Sequence, residues 1–279
     1  MIVDAFYAAK GSGVLGRMAD AIGERLTGSL SVGQTSISNI LANVVGDPSL
    51  NRKVDVISRN GNGVDQFYRA PVPGDRDDLL SKIRSLNKET NSGTSGIHSS
   101  LWSQALVDTE YESAQYISWL NGVDGIDSMP DSQLGASLDQ IFKLIKIRDL
   151  REVNQDVFSC QVNGFDQHFD MKVALGALFD GMNEPLALFR SALISDGLWD
   201  SVTLIMGSEF GRTITPNASG GTDHGYGGNF FMMGGNVKGA SIKGTHPSTY
   251  CKFFFWCPLL LALCKLTLIS CQSSYYRPV

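Results

Sequence analysis

The chain has 279 residues, enough for one large domain or two small ones, and its 43% hydrophobic and 18% charged residues are the ordinary balance of a protein that buries a core. A net charge of -5 supplies no basic field, which argues against nucleic acid as a partner and favours a small molecule or a protein. The opening MIVDAFYAAKGSGVLGRMADAIGERL carries neither the charged and apolar regions of a secretory signal nor a twin-arginine pair, so no export address is written there and the compartment stays open.

Along the chain, Val14, Leu15, Met18, Ala19, Ile22 and Leu26 recur at helical spacing and predict an amphipathic helix over 13–27, ended at Gly28. The run LSVGQT predicts a short strand. Asp75 to Asn87 follows Pro73-Gly74, has acids in its first turn and places Leu79, Leu80, Ile83 and Leu86 on one face, a second helix. Residues 97–121 and 132–147 predict two more, the latter with Leu134, Leu138, Ile141, Phe142 and Ile145 as its buried stripe. The polar connectors at 89–96 and 121–133 are candidate seams. Residues 1–150 are thus a helix-rich half.

After residue 150 the pattern changes. VFSCQVNG (157–164) and SVTLIMG (201–207) predict strands, and between them 171–196 predicts a long helix that accommodates Pro185 with a break or kink. A strand, helix, strand unit closes with parallel strands and a right-handed crossover, which sets both carboxyl ends on one sheet edge, where α/β sheets bind ligands. The first strand leads into GFDQH, with Asp166 and His168. The second leads into GSEFGR, with Glu209 and Arg212, and then to Asp223 and His224. An Asp-His dipeptide between glycines offers a hard oxygen and an imidazole nitrogen, both acceptable to a divalent metal, so a metal site is the leading expectation.

Plainer alternatives exist for each residue. Asp223 can simply bend a turn, Asp166 and His168 can end a strand without a ligand, and Glu209 can pair with Arg212. Ser208 sits in MGSEFG rather than G-x-S-x-G, and adjacent Asp and His side chains do not align as orienter and base, which disfavours a serine triad. No phosphate-cradling P-loop string occurs. The single histidines His98 and His246 are left outside the site.

The last 29 residues, from Cys251, hold four of the five cysteines and no Asp, Glu or Gly. Removing Lys252, Lys265 and Arg277 from the 23 basic residues leaves 20 against 28 acids before the break, a net of -8 for the body. The expected division is therefore a body over 1–250, helical over 1–150 with a metal-site section over 151–250, and a Cys-rich apolar tail over 251–279. The wide cysteine spacing predicts neither a disulfide framework nor a thiolate metal site. The 12 residues between Lys252 and Lys265 are too few for a membrane span of roughly 20. A buried segment, an interfacial contact through 253–264, and a tail translated from a shifted frame or an intron all remain open.

The strings GFDQH, SEFGRT, NASGGTDHGYGG and FFMMGGNVKGASIKG, in that order, resemble the family catalogued as domain of unknown function 1501, of the alkaline phosphatase-like and sulfatase-like superfamily. The resemblance runs from about Gly11 to about Pro247 and is strongest from Gly164 to Gly244. It implies an incomplete three-layer α/β/α sandwich whose strand-end acids and histidines hold one or two divalent ions (Zn, Ca, Mg or Mn), with a hydroxyl or a metal-bound water attacking phosphorus or sulfur. On that analogy Asp166 and His168 serve one metal, and Asp223 and His224 the other. Glu209 is a further ligand or orients a histidine, and Arg212 neutralises an anionic substrate oxygen. Relatives carry a first strand with a metal-binding acid and a nucleophile ahead of the region where this chain opens, and Tyr226 stands where a second histidine is expected. Two functions follow as expectations: a truncated metal-dependent hydrolase of small anionic phosphate or sulfate esters, or a non-catalytic remnant or binding module that keeps the fold without the nucleophile.

Overall fold

A computed structural model describes residues 14–25, 32–37, 55–57, 81–82, 85, 111, 115–153, 155–208, 210–225, 230–244 and 264–270. The chain divides into two compact units, residues 1–59 with 125–279, and residues 60–124. In the smaller unit Ser81, Lys82, Ser85, Tyr111 and residues 115–121 are helical. Leu120 is buried there, and the Tyr116 and Trp119 rings lie 5.6 Å apart. The remainder of the helices expected at 75–87 and 97–121, and the connector at 89–96, lie outside the described residues.

The larger unit has mixed α/β character. Helix α1 (Val14–Arg25) packs against strands β1 (Val32–Ile37) and β3 (Gln155–Val162), matching the apolar spacing that predicted it. Strand β2 (Asp55–Ile57) pairs parallel with β1, and β1 pairs parallel with β3. Helix α2 (Gln133–Lys146) starts where Ser132 accepts a hydrogen bond from the Gly135 amide at 3.0 Å, and Lys143 and Lys146 complement the dipole at its other end. A Cβ at Gly135 would lie 2.2 Å from the Pro130 carbonyl oxygen, so only glycine lets the chain enter this helix. The predicted stripe, Leu134, Leu138, Ile141, Phe142 and Ile145, is buried.

Helix α3 (Met171–Ser195) packs against α2 and runs unbroken through Pro185, so of the break or kink expected there the break does not occur. A proline inside a helix costs about 3 kcal/mol. Buried residues on both sides of it, Leu175 and Met182 before and Phe189 and Leu193 after, hold the helix across the interruption.

Strand β4 (Val202–Gly207) follows a short 3-10 turn and pairs antiparallel with β7 (Phe231–Gly234). Between β3 and β4 lies β8 (Cys264–Ser270), antiparallel to both, giving the sheet order β2-β1-β3-β8-β4-β7. That segment belongs to the stretch whose composition stands apart, and its first five residues, CKLTL, alternate apolar and polar as a strand does. Because β8 opposes both neighbours, β3 and β4 run in the same direction and end on the same edge of the sheet, as the strand, helix, strand pattern predicts. Seven of the eight residues of β3 are buried, as expected for a strand inside a sheet. Among the described residues no helix is long and apolar enough to cross a membrane.

Candidate metal centre

The loop that leaves β3 alternates inward and outward. Gly164 takes a positive φ of 104° to turn the chain, and Phe165 is wholly buried, edge-on to Phe179 of α3 at 5.7 Å. With Phe165 anchored inward, Asp166 is left at the surface with its side chain 49% exposed. Asp166 and His168 therefore stand in an irregular loop beyond the strand.

The loop that leaves β4 makes a small ribbon. Strands β5 (Gly211–Arg212) and β6 (His224–Gly225) pair antiparallel, with Arg212 directly opposite His224. A Cβ at Gly225 would meet the Arg212 carbonyl at 2.8 Å, so this approach requires glycine. Side chains directly opposite in such a pair share a side. Both reach Asp166.

The Asp166 Oδ1 atom is the centre of the cluster. His168 Nε2 and His224 Nε2 each lie 3.0 Å from it, and the Arg212 guanidinium donates to it at 2.5 Å. One ligand atom from each of Asp166, His168 and His224 lies within 4.8 Å of the other two. Residues that the resemblance divides between two ions thus meet around one carboxylate oxygen. Asp223 is close by, its Oδ1 3.4 Å from His168 Nδ1, with the carboxylate largely exposed. Glu209 lies outside the described residues.

Arg212 is fully buried. Its guanidinium also donates to the Thr222 carbonyl at 2.9 Å and approaches the Phe165 carbonyl at 3.4 Å. Phe210 stacks on the His224 ring with centroids 3.7 Å apart, fixing the plane of that imidazole, and the two histidine rings lie 5.2 Å apart. Burial pushes the Asp166 carboxyl up, but the hydrogen bond from His224 and the charges of Arg212 and both histidines outweigh it, so the group ends below its ordinary 3.8. Asp166 therefore stays ionised and accepts from cations, the state in which a carboxylate ligates metal.

One oxygen and two imidazole nitrogens converging from two loops are a donor set that suits a divalent transition ion, with positions left over for other ligands. Asp223 on the Nδ1 side of His168 favours the proton there, which leaves Nε2 as an acceptor, with Arg212 Nη1 3.4 Å from it. Sequence reasoning missed Phe210, Thr222 and Asn217 as supports of the cluster. Only Asn217 carried a local signal, since Asn before a glycine-rich run is a common turn former.

Residues 127–252 match the family described as Protein of unknown function (DUF1501). Over this span the chain is similar to that family, the one that GFDQH, SEFGRT and NASGGTDHGYGG resemble, and the span contains every residue of the cluster. The match begins later than the Gly11 to which the resemblance extends. No curated protein and no solved structure matches the chain.

Proposed function

We propose that this protein is a metal-dependent domain of the alkaline phosphatase-like superfamily, part of a three-layer α/β/α sandwich, that acts on a phosphate or sulfate ester. The observation that carries the reading is the convergence of His168 Nε2 and His224 Nε2 on Asp166 Oδ1, each at 3.0 Å, beyond strands that end on one sheet edge. Asp166, His168 and His224 would hold the ion, with Asp223 beside them. A bound divalent ion would supply Lewis-acid polarisation of the ester oxygen.

The chain's own residues do the rest. Arg212 holds Asp166 in its ionised form and in place, a supporting role that its burial favours over contact with a substrate oxygen. Phe210 holds the His224 ring, and Asp223 sets the tautomer of His168. An open, half-exposed carboxylate leaves the ion accessible to a small anionic ester.

A second reading, a module that holds metal without hydrolysis, is favoured by how the nearby hydroxyls are used. Ser208 donates to the Phe210 carbonyl at 2.9 Å, and Thr213 donates to the Thr215 carbonyl at 3.0 Å. Neither is placed as a nucleophile. Metal analysis after dialysis should find about one divalent ion per chain in the wild type and none in Asp166→Ala. A wild type free of metal after loading would refute both readings. Turnover of aryl phosphates and aryl sulfates, abolished by a chelator, separates the hydrolase from the holding module.

A further inference from the structure

Asn217 is the one side chain in the loop after β5 that joins three separate parts of the cluster. Its Oδ1 accepts from the Ser219 and Gly221 amides, each at 3.0 Å, and its own amide donates to the Gly221 carbonyl at 2.8 Å, which closes the 217–221 turn. Its Nδ2 donates to the His168 carbonyl at 3.0 Å and approaches Asp223 Oδ1 at 3.4 Å. Two donors and two acceptors on one carboxamide are thereby all engaged. Asp supplies no donor and Gln is one methylene longer, so only Asn meets all four partners here.

The turn that Asn217 closes is pressed directly on the segment carrying His168. Phe169 bridges Gly220, the Asp170 amide donates to the Ser219 carbonyl at 3.3 Å, and the Met171 amide donates to the Gly220 carbonyl at 3.2 Å. A Cβ at Gly221 would lie 2.2 Å from the His168 carbonyl carbon. Backbone bonds therefore hold the two loops in register around His168, and the Asn217 carboxamide adds the side-chain bonds to His168 and Asp223.

We infer that Asn217 is a positioning residue of the metal centre, which sets His168 and Asp223 relative to each other through its Nδ2 without touching the ion. The inference rests on the metal reading above. It separates two jobs of one side chain: the Oδ1 bonds build the turn, and the Nδ2 bonds place the ligand. Asn217→Asp keeps the first and removes the second. It also adds a negative charge near the cation, which by electrostatics alone would tighten metal binding.

The test titrates cobalt(II) alone into the metal-free full-length wild type, Asn217→Asp and Asn217→Ser, following the visible d–d bands, with thermal unfolding of each metal-free protein alongside. Loss of this outer support should weaken cobalt binding about 10-fold in both variants and change the band intensities, while metal-free unfolding of Asn217→Asp stays near that of the wild type. Binding as tight as wild type, or tighter, in a folded Asn217→Asp overturns the inference alone. Equal losses of binding and of metal-free stability in both variants make Asn217 merely structural, which also overturns it. No cobalt binding by the wild type overturns the metal reading, and this inference with it.

Discussion

Strand β3 has an arginine–aspartate pair near each end, and the two pairs behave differently. Near the start, Asp156 is 3% exposed and receives both Arg151 nitrogens, at 2.7 and 3.1 Å, while Arg151 also donates to Thr35 of β1 and lies 3.9 Å from Asp55 of β2. Beyond the other end, Asp166 is half-exposed and shares one oxygen between Arg212 and two histidines. Burial pushes the Asp156 carboxyl above its ordinary 3.8 despite Arg151, whereas Asp166 ends below that value. The same residue pair is a knot between strands in one place and the centre of a histidine cluster in the other. What separates them is access to solvent and the presence of imidazoles.

The largest expected effect falls on the buried pair. Arg151→Met leaves the Asp156 carboxyl without its partner in the interior and should cost about 3–5 kcal/mol in urea unfolding. Its metal stoichiometry per folded chain should equal that of the wild type; a loss of metal there would erase the distinction between the two ends. His224→Ala should do the reverse, weakening divalent metal binding by at least ~100-fold, since removing a ligand exceeds the loss of an outer support. Metal-free urea unfolding of that variant should move by less than that of Arg151→Met.

Gly221→Ala tests how closely the loops approach. The new methyl must displace the His168 backbone, which should destabilise the protein by about 1–3 kcal/mol and loosen metal binding together. Differential scanning calorimetry and cobalt titration read the two effects, and an unchanged Tm would show that the approach is relaxed.

The smallest effect concerns pH. Because the Asp166 carboxyl is lowered in the folded state, its contribution to stability is fully present above its ordinary 3.8 and is lost as pH falls through the lowered folded value. The stability gap between metal-free wild type and Asp166→Asn should therefore be constant at neutral pH and close only below the ordinary aspartate range. A gap that already closes well above the ordinary aspartate range would refute the assignment of this stability to the Asp166 carboxylate.

Much of this arrangement is legible in local pattern. The 3.6-residue stripe of 132–147 and the strand patterns at 157–164 and 201–207 mark α2, β3 and β4, and the shared direction of β3 and β4 brings GFDQH toward the loop holding Arg212 and His224. At Pro185 the break does not occur, because packing on both flanks outweighs a local penalty. Local pattern marks Asn217 only as a turn former, because its four partners are spread over His168, Ser219, Gly221 and Asp223, and it does not give the place of residues 264–270 between β3 and β4.

The sequence by itself determined the helices α1, α2 and α3, the strands β3 and β4, and the chemical types available: two histidines, acids and an arginine near strand ends, in glycine-rich backbone, on a chain with net charge -5. These depend on spacing and side-chain chemistry, which are local. Only the tertiary structure decided that Asp166, His168 and His224 share one point, that Arg212 faces inward to hold Asp166, and that Asp156 is buried while Asp166 is open. Those outcomes depend on which loops pack against each other and on how much water each carboxylate keeps, and neither quantity is a property of any short stretch of chain.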